Sequence, residues 1–255
     1  MAEWTAFAGF VGVVLAGLLL LARASANVFT SVPDAAEYPA SLGDRVVGDD
    51  PGSHVRPGRR PRHQPGHSTA VLLLNVVVSQ GLFASLLVVG LWVASIPSDA
   101  LGLGAGAVSS SALAVGVVLG VVLHGVNTVG SRLSDRFGPG DATALREAMA
   151  PDSAAGWAVL LLVVLPLVAG FEELLFRGVL VGAFATGFGV SPWSLAALSS
   201  LAFALGHGAQ GRAGIVVTGT LGFVLAVAFV LTGSLVAVVV AHYLVNALEF
   251  VVNER

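Results

Sequence analysis

Residues 157–184 read WAVLLLVVLPLVAGFEELLFRGVLVGAF, an apolar run broken only by Glu172, Glu173 and Arg177. As a helix this run exceeds the roughly 30 Å hydrocarbon core of a bilayer. No other charge lies between Trp157 and Val190. On insertion scales each ionised group near a helix centre costs roughly 2.5–3.5 kcal/mol, so three of them in one span need partners or a use. An ion-pair network that only glues helices together is the plain alternative. Helical spacing separates the two carboxylates. Glu173 and Arg177 are four apart, acid first, and can pair on one face. Glu172 is turned about 100° away and needs a partner from another helix or a wet cavity, where a carboxylate can serve as a general base. Pro166, followed by Gly170, is expected to kink the helix just before this point and make room for solvent.

Outward from this segment, six further apolar runs appear at 5–22, 70–94, 108–129, 193–210, 214–231 and 235–252. The pattern predicts an all-α, polytopic transmembrane bundle of about seven spans. Composition agrees: 56% of the 255 residues are hydrophobic and only 11% are charged, against roughly 25% charged in soluble domains. Every one of the 12 basic residues is arginine, and with 15 acidic residues the net charge is −3. No cationic nucleic-acid-binding domain fits that balance. Without cysteine there is no thiolate nucleophile, iron–sulfur cluster or disulfide framework, and without lysine no Schiff-base or Ser-Lys chemistry. The first run ends near Ala24-Ser25-Ala26, which resembles a signal cleavage site. Its n-region carries Glu3 and no basic residue, so a retained helix over 1–22 is expected.

Residues 23–69 hold six of the eleven prolines and the cluster Arg56, Arg59, Arg60 and Arg62. This stretch is too polar to bury a core and is expected to be a disordered cytoplasmic loop, its arginines a solvated topology anchor or a contact for anionic membrane lipids. Residues 70–156 would then supply two spans and a second cytoplasmic loop, and 157–252 a four-helix core. Arginines fall in the first, third and fifth connections and at Arg255, and none in the second, fourth or sixth. The positive-inside rule therefore places the N-terminus outside and the C-terminus in the cytoplasm. Gly102 to Gly106 lacks a P-loop lysine and reads as a short external connection.

Two more polar constellations sit at helical spacing. Phe203 and His207 end the fifth run, and His242 and Asn246 occupy the middle of the seventh. Members of each pair are four apart and share a helix face. Together with Glu172 they supply the parts of a hydrolytic site: a base for water, imidazoles to orient it or donate protons, and an amide for an oxyanion. Glu172, His207 and His242 could equally form a two-histidine, one-carboxylate zinc site, and the residues alone do not choose. Rival protease signatures are absent: there is no His-Glu-x-x-His and no Gly-x-Ser-x-Gly. Gly138-Pro139-Gly140-Asp141 looks like an aspartyl-protease Gly-x-Gly-Asp, but neither Tyr38 nor Tyr243 is followed by the aspartate such enzymes also need, so it reads as a turn.

Glu-Glu-x-x-x-Arg (Glu172, Glu173, Arg177), Phe-x-x-x-His (Phe203, His207) and His-x-x-x-Asn (His242, Asn246), in that order on separate spans, resemble the CPBP family of intramembrane proteases. That family includes type II CAAX prenyl endopeptidases and Abi-like proteins. The resemblance covers about 157–250 and implies a helical bundle around a cavity open to the cytoplasm. It further implies a peptide or lipidated protein substrate and a candidate catalytic set of Glu172, Glu173, His207, His242 and Asn246, with Arg177 in support. Within that set Glu172 would activate water, the histidines assist, and Asn246 stabilise the oxyanion. The family has been described both as metalloproteases and as metal-independent enzymes, so zinc stays open. A transporter or proton relay, and a non-catalytic immunity or scaffold protein, are the alternatives.

One expectation concerns depth. Glu172 lies roughly 22 Å along its span from the cytoplasmic start, and His207 only about 8 Å from Arg212. As straight, full spans they would miss each other, so a fifth span that dips only partway, or is strongly tilted, is expected. His124 and Asn127 are expected to make hydrogen bonds at a helix interface, and Glu249 to lie near the cytoplasmic head groups.

Overall fold

A computed structural model describes residues 1–30, 68–134 and 146–254. Among these residues there is no strand, and seven helices carry the fold: α1 (Trp4–Thr30), α2 (Thr69–Val93), α3 (Ser110–Ser134), α4 (Ala154–Phe188), α5 (Pro192–Gly206), α6 (Gly211–Thr232) and α7 (Leu235–Glu254). In hydrocarbon every backbone N–H and C=O needs an internal partner, and helices supply it even for valine-rich segments. Punctuation is local. Ser68 and Ser153 cap α2 and α4 through their hydroxyls, Pro192 opens α5, and Gly189 and Gly233 close α4 and α6 at φ of 66° and 62°.

Six of the helices are long and apolar enough to cross a membrane, and α5, at 15 residues, is shorter. Large apolar side chains such as Trp92, Leu162, Leu201 and Val216 cover the outside, as a lipid-facing surface requires. This is a polytopic helical membrane protein. Two boundaries differ from the sequence reading. Residues 23–30, assigned to the polar loop, continue α1, because no proline or glycine interrupts the chain before Pro33. The fifth helix ends at Gly206 instead of reaching 210, and a 3-10 turn over Gly208–Gln210 leads into α6. The expected disorder of 31–67, the arginine cluster at 56–62 and the turn at 138–141 lie outside the described residues.

α4 is the central helix: its residues enter all three apolar clusters. Phe171, Leu175, Phe176 and Val179 pack with Phe7 and Val11 of α1, Leu87 and Leu91 of α2 and Phe203 of α5. Val181 joins the cluster of α3, α5, α6 and α7, and Leu160, Val164 and Leu165 meet Leu73 of α2 and Ala247 and Phe250 of α7. α4 is not regular. It widens to π geometry at Leu160–Val164, where Leu165 N–H bonds to Leu160 C=O just before Pro166, and again over Leu174–Ala183. The first widening answers the missing N–H of Pro166, since a π turn re-partners backbone groups that a proline strands.

α3 and α7 pack backbone to backbone. A Cβ on Gly116 would come within 2.6 Å of Ala237 O, and one on Gly120 within 2.9 Å of Ala241 O. This is the small-residue packing that drives helix association in lipid, and it fixes the position of α7, which carries His242.

Candidate active site

α4 and α7 together build the polar centre. His242, buried, stands between the two glutamates of α4: its Nδ1 is 2.7 Å from Glu173 Oε1, and its Nε2 is 3.8 Å from Glu172 Oε2. Arg177 Nη1 donates to the same Glu173 Oε1 at 2.9 Å, as the four-residue spacing predicted, and Nη2 donates to Gly222 O of α6 at 2.7 Å. Glu173 and Arg177 are both fully buried. Glu173 Oε1 thus meets both the Arg177 guanidinium and Nδ1 of His242, while Nε2 of the same ring is turned toward Glu172.

Phe203 of α5 closes the centre. Its ring lies under the Arg177 guanidinium, 4.7 Å from Cζ, a cation–π contact that strengthens when desolvated. The same ring meets Phe176 edge-on at 5.0 Å, His207 at 4.5 Å and His242 edge-on at 6.1 Å between centroids. Ser199 Oγ donates to Phe176 O at 2.5 Å and ties α5 to the wide stretch of α4. Only glycine fits at 222, because a Cβ there would lie 2.8 Å from Phe203 Cδ1 and 3.2 Å from Arg177 Nη2.

His207 caps α5. It is half-buried, and its Nδ1 is 2.8 Å from the Phe203 carbonyl, so that nitrogen donates and Nε2 stays available. No hydrogen bond joins His207 to Glu172 or His242 among the described residues; the two imidazoles share the Phe203 ring instead. Asn246, one turn along α7 from His242, is half-buried, and its amide makes no hydrogen bond with the described side chains. Glu172 Oε2 is buried without a hydrogen-bond partner, as are Glu173 Oε2 and Arg177 Nε.

The two helices that carry Glu172 and His207 differ greatly in length. α4 runs 35 residues, nominally about 50 Å and longer than a bilayer core, while α5 is short. His207 and His242 both meet the Phe203 ring. Sequence reasoning did not assign His242 to Glu173, give Phe203 a role, or find Gly222. The Phe-x-x-x-His spacing marked Phe203 as a motif member, whereas nothing in the sequence separates Gly222 from the other 31 glycines.

Zinc would have to be held by the donors that the other contacts leave free. Nδ1 of His242 is taken by Glu173 and Nδ1 of His207 by a backbone carbonyl, which leaves the Glu172 carboxylate and two Nε2 atoms. Among the described residues no three histidine or acidic side chains converge closely enough to hold a metal ion. The residues as arranged do not fit a zinc centre.

Two other features lie apart. Glu249 of α7 accepts from Asn127 at 3.2 Å and from Arg146 at 3.0 Å, with His124 Nδ1 at 3.3 Å, and Arg146 also reaches Glu254 at 2.8 Å. The expected interface hydrogen bond is made by Asn127, whereas His124 Nδ1 lies near Glu249 without forming a hydrogen bond. A groove of about 450 Å³ runs between the starts of α2 and α4, lined by Leu73, Val77, Asp152, Gly156 and Val163, and touches none of the motif residues.

Residues 154–248 match the family model for type II CAAX prenyl endopeptidases, Rce1-like. That region is similar to this family. The match covers nearly the same stretch as the motif resemblance, 157–250, and supports it. No curated protein and no solved structure matches the chain. The polar centre of Glu172, Glu173, Arg177, His207 and His242 lies wholly within the Rce1-like region, while α1, α2 and α3 lie outside it.

Proposed function

We propose that the protein is an intramembrane endopeptidase in which Glu172 activates water against a peptide carbonyl near the C-terminus of a membrane-delivered, CAAX-type lipidated protein. The observation that carries this reading is the placement of His242 between the two glutamates. With the Nδ1 proton committed to Glu173, both Nε2 of His242 and Oε2 of Glu172 are acceptors. Two acceptors 3.8 Å apart gain nothing from each other and are matched by one water that donates a hydrogen to each. Such a water keeps its oxygen lone pairs free for attack.

In the reaction Glu172 takes a proton from water as the hydroxide oxygen bonds to the carbonyl carbon. The Asn246 amide donates to the oxyanion. The protonated Glu172 then passes its proton to the leaving nitrogen as the C–N bond breaks, giving a carboxylic acid and an amine. Arg177 and Glu173 hold His242 in one tautomer, the positioning role that the third member plays in hydrolytic triads. His207 assists through Nε2 from the α5 end. We place this chemistry on the cytoplasmic side, with the N-terminus outside and the C-terminus inside, from the arginine distribution.

The purified protein in liposomes, incubated with a farnesylated CAAX peptide and with an unmodified peptide library, tests the reading. Cleavage should fall at least 100-fold in Glu172→Gln and in His207→Ala. Cleavage undiminished in both variants refutes the site.

A further inference from the structure

One polar pair between α5 and α6 has no part in the scheme above. Thr218 of α6 is buried, and its Oγ1 donates to Gln210 Oε1 at 2.7 Å. Other helical threonines do otherwise. Thr220 and Thr232 of α6 and Thr186 of α4 bond back to the carbonyl four residues earlier, the usual local use of a hydroxyl within a helix. Thr218 instead reaches out of its own helix, to the 3-10 turn over Gly208–Gln210. The Gln210 side chain lies along the first turn of α6 to meet it, and this requires glycine at 214, where a Cβ would stand 2.4 Å from Gln210 Cβ.

The turn that Gln210 closes carries His207. Gln210 N–H donates to His207 O at 3.0 Å, and the His207 ring bonds through Nδ1 to Phe203 O at 2.8 Å. The local sequence is Gly206-His207-Gly208-Ala209-Gln210-Gly211, and glycines on both sides of a residue place little conformational restriction on the chain around it. His207 therefore owes its place to ties from the neighbouring helices. On one side, α5 is held to α4 by Ser199 Oγ on Phe176 O. On the other, the turn is held to α6 by Gln210 and Thr218. Direct contacts farther along the α5–α6 pair run antiparallel: a Cβ on Gly222 would meet Phe203 Cδ1 at 2.8 Å, and one on Gly219 would meet Ala204 Cβ at 3.0 Å. The turn after α5 thus folds back over the stretch of α6 that holds Thr218, as the Gln210 bond shows.

We propose that Gln210 and Thr218 are a positioning pair for His207, fixing the glycine-flanked turn so that the imidazole stays on the Phe203 ring beside the polar centre. This rests on the proposed endopeptidase reading, in which His207 assists the reaction, and adds to it two residues that none of the three motifs includes. Both act through His207. Misplacing a reacting group by about 1 Å can cost about 100-fold in rate, so the loss of one hydroxyl at 218 is felt in the chemical step.

The test uses the full-length protein in liposomes and the peptide that the wild type cleaves fastest. Thr218→Val keeps the branched shape and removes the hydroxyl; Gln210→Met keeps the unbranched stem and removes the amide. Each should lower kcat by about 10-fold or more, with KM changed less than about 2-fold. Thr218→Ser retains the donor and should stay within about 2-fold of wild type. Single-turnover rates with enzyme in excess separate positioning from stability. In a His207→Ala background Thr218→Val should change the residual rate less than about 2-fold, because its effect is exerted through the missing imidazole. Unchanged kcat in both Thr218→Val and Gln210→Met, or an equal loss with and without His207, overturns the assignment. A loss that follows a lowered thermal midpoint in Thr218→Val and Thr218→Ser alike overturns it too. If Glu172→Gln is inactive while His207→Ala, or both pair variants, cleave normally, only this inference falls; if no peptide is cleaved, or Glu172→Gln cleaves normally, the endopeptidase reading falls and takes this one with it.

Discussion

Replacing Glu173 and Arg177, singly and together, separates what holds the bundle from what orients its imidazole. Both side chains are fully buried and bonded at 2.9 Å. Glu173→Leu leaves the guanidinium with only the Gly222 carbonyl and the Phe203 ring, and Arg177→Met leaves the carboxylate with His242 alone. Removing one partner of a buried pair costs about 3–5 kcal/mol, whereas replacing both by apolar groups of similar volume is often neutral or better. In the double variant one donor, Nδ1 of His242, still loses its acceptor, worth about 1–3 kcal/mol. The thermal midpoint in detergent should therefore drop furthest for Glu173→Leu and recover substantially in Glu173→Leu/Arg177→Met. Activity should not recover with it. Once the carboxylate is gone nothing fixes the tautomer of His242, and loss of an equivalent orienting carboxylate in hydrolytic triads costs about 10⁴-fold in kcat. Peptide cleavage and thermal unfolding measured on the same preparations decide the matter. A double variant that regains stability and retains more than a tenth of wild-type kcat would refute the orienting role. A double variant less stable than both singles would refute the energetic accounting.

Further expectations concern the surroundings. Gly222→Ala puts a methyl 2.8 Å from the Phe203 ring, and overpacking of this kind costs about 1–3 kcal/mol; a lowered midpoint with reduced cleavage is expected, and a variant normal in both would show that the α5–α6 contact is not tight. Glu249→Gln removes the charge facing Arg146 and turns one of the two oxygens that accept from Arg146 and Asn127 into a donor; interhelical polar contacts in membranes average about 0.6 and reach about 1.7 kcal/mol, so stability should fall by that order while kcat stays within 2-fold. Treatment with 1,10-phenanthroline should leave cleavage unchanged, since no three ligating side chains converge among the described residues; inhibition reversed by added zinc would overturn that expectation.

Legibility in the sequence followed the strength of the local physics. The membrane spans were readable because twenty-residue apolar runs have few other uses, and the Glu173–Arg177 pair was readable because i,i+4 spacing is set within one helix. The interface hydrogen bond of Asn127 followed from a polar group near a helix end. The contact between His242 and Glu173 was not readable: it depends on the height and rotation of α7 against α4, which Gly116 and Gly120 set through packing on α3. Neither the π widening of α4 nor the end of α5 at Gly206 has a periodic signature. The former answers a proline whose effect was expected only as a kink, and the latter falls in Gly206-His207-Gly208, where the chain carries no proline or cap that fixes the last helical residue.

The central position of α4 has a practical consequence. Its inner face is covered by Phe7, Val11, Leu87 and Leu91, all from the half of the chain that the family match omits. A fragment excised at 154–248 would bare Phe171, Leu175 and Phe176 to lipid or detergent and lose the wall on which the glutamate-bearing turn rests. The borders of sequence homology here cut through a folding unit, so grafting, truncation or recombination of this protein has to move all seven helices as one piece.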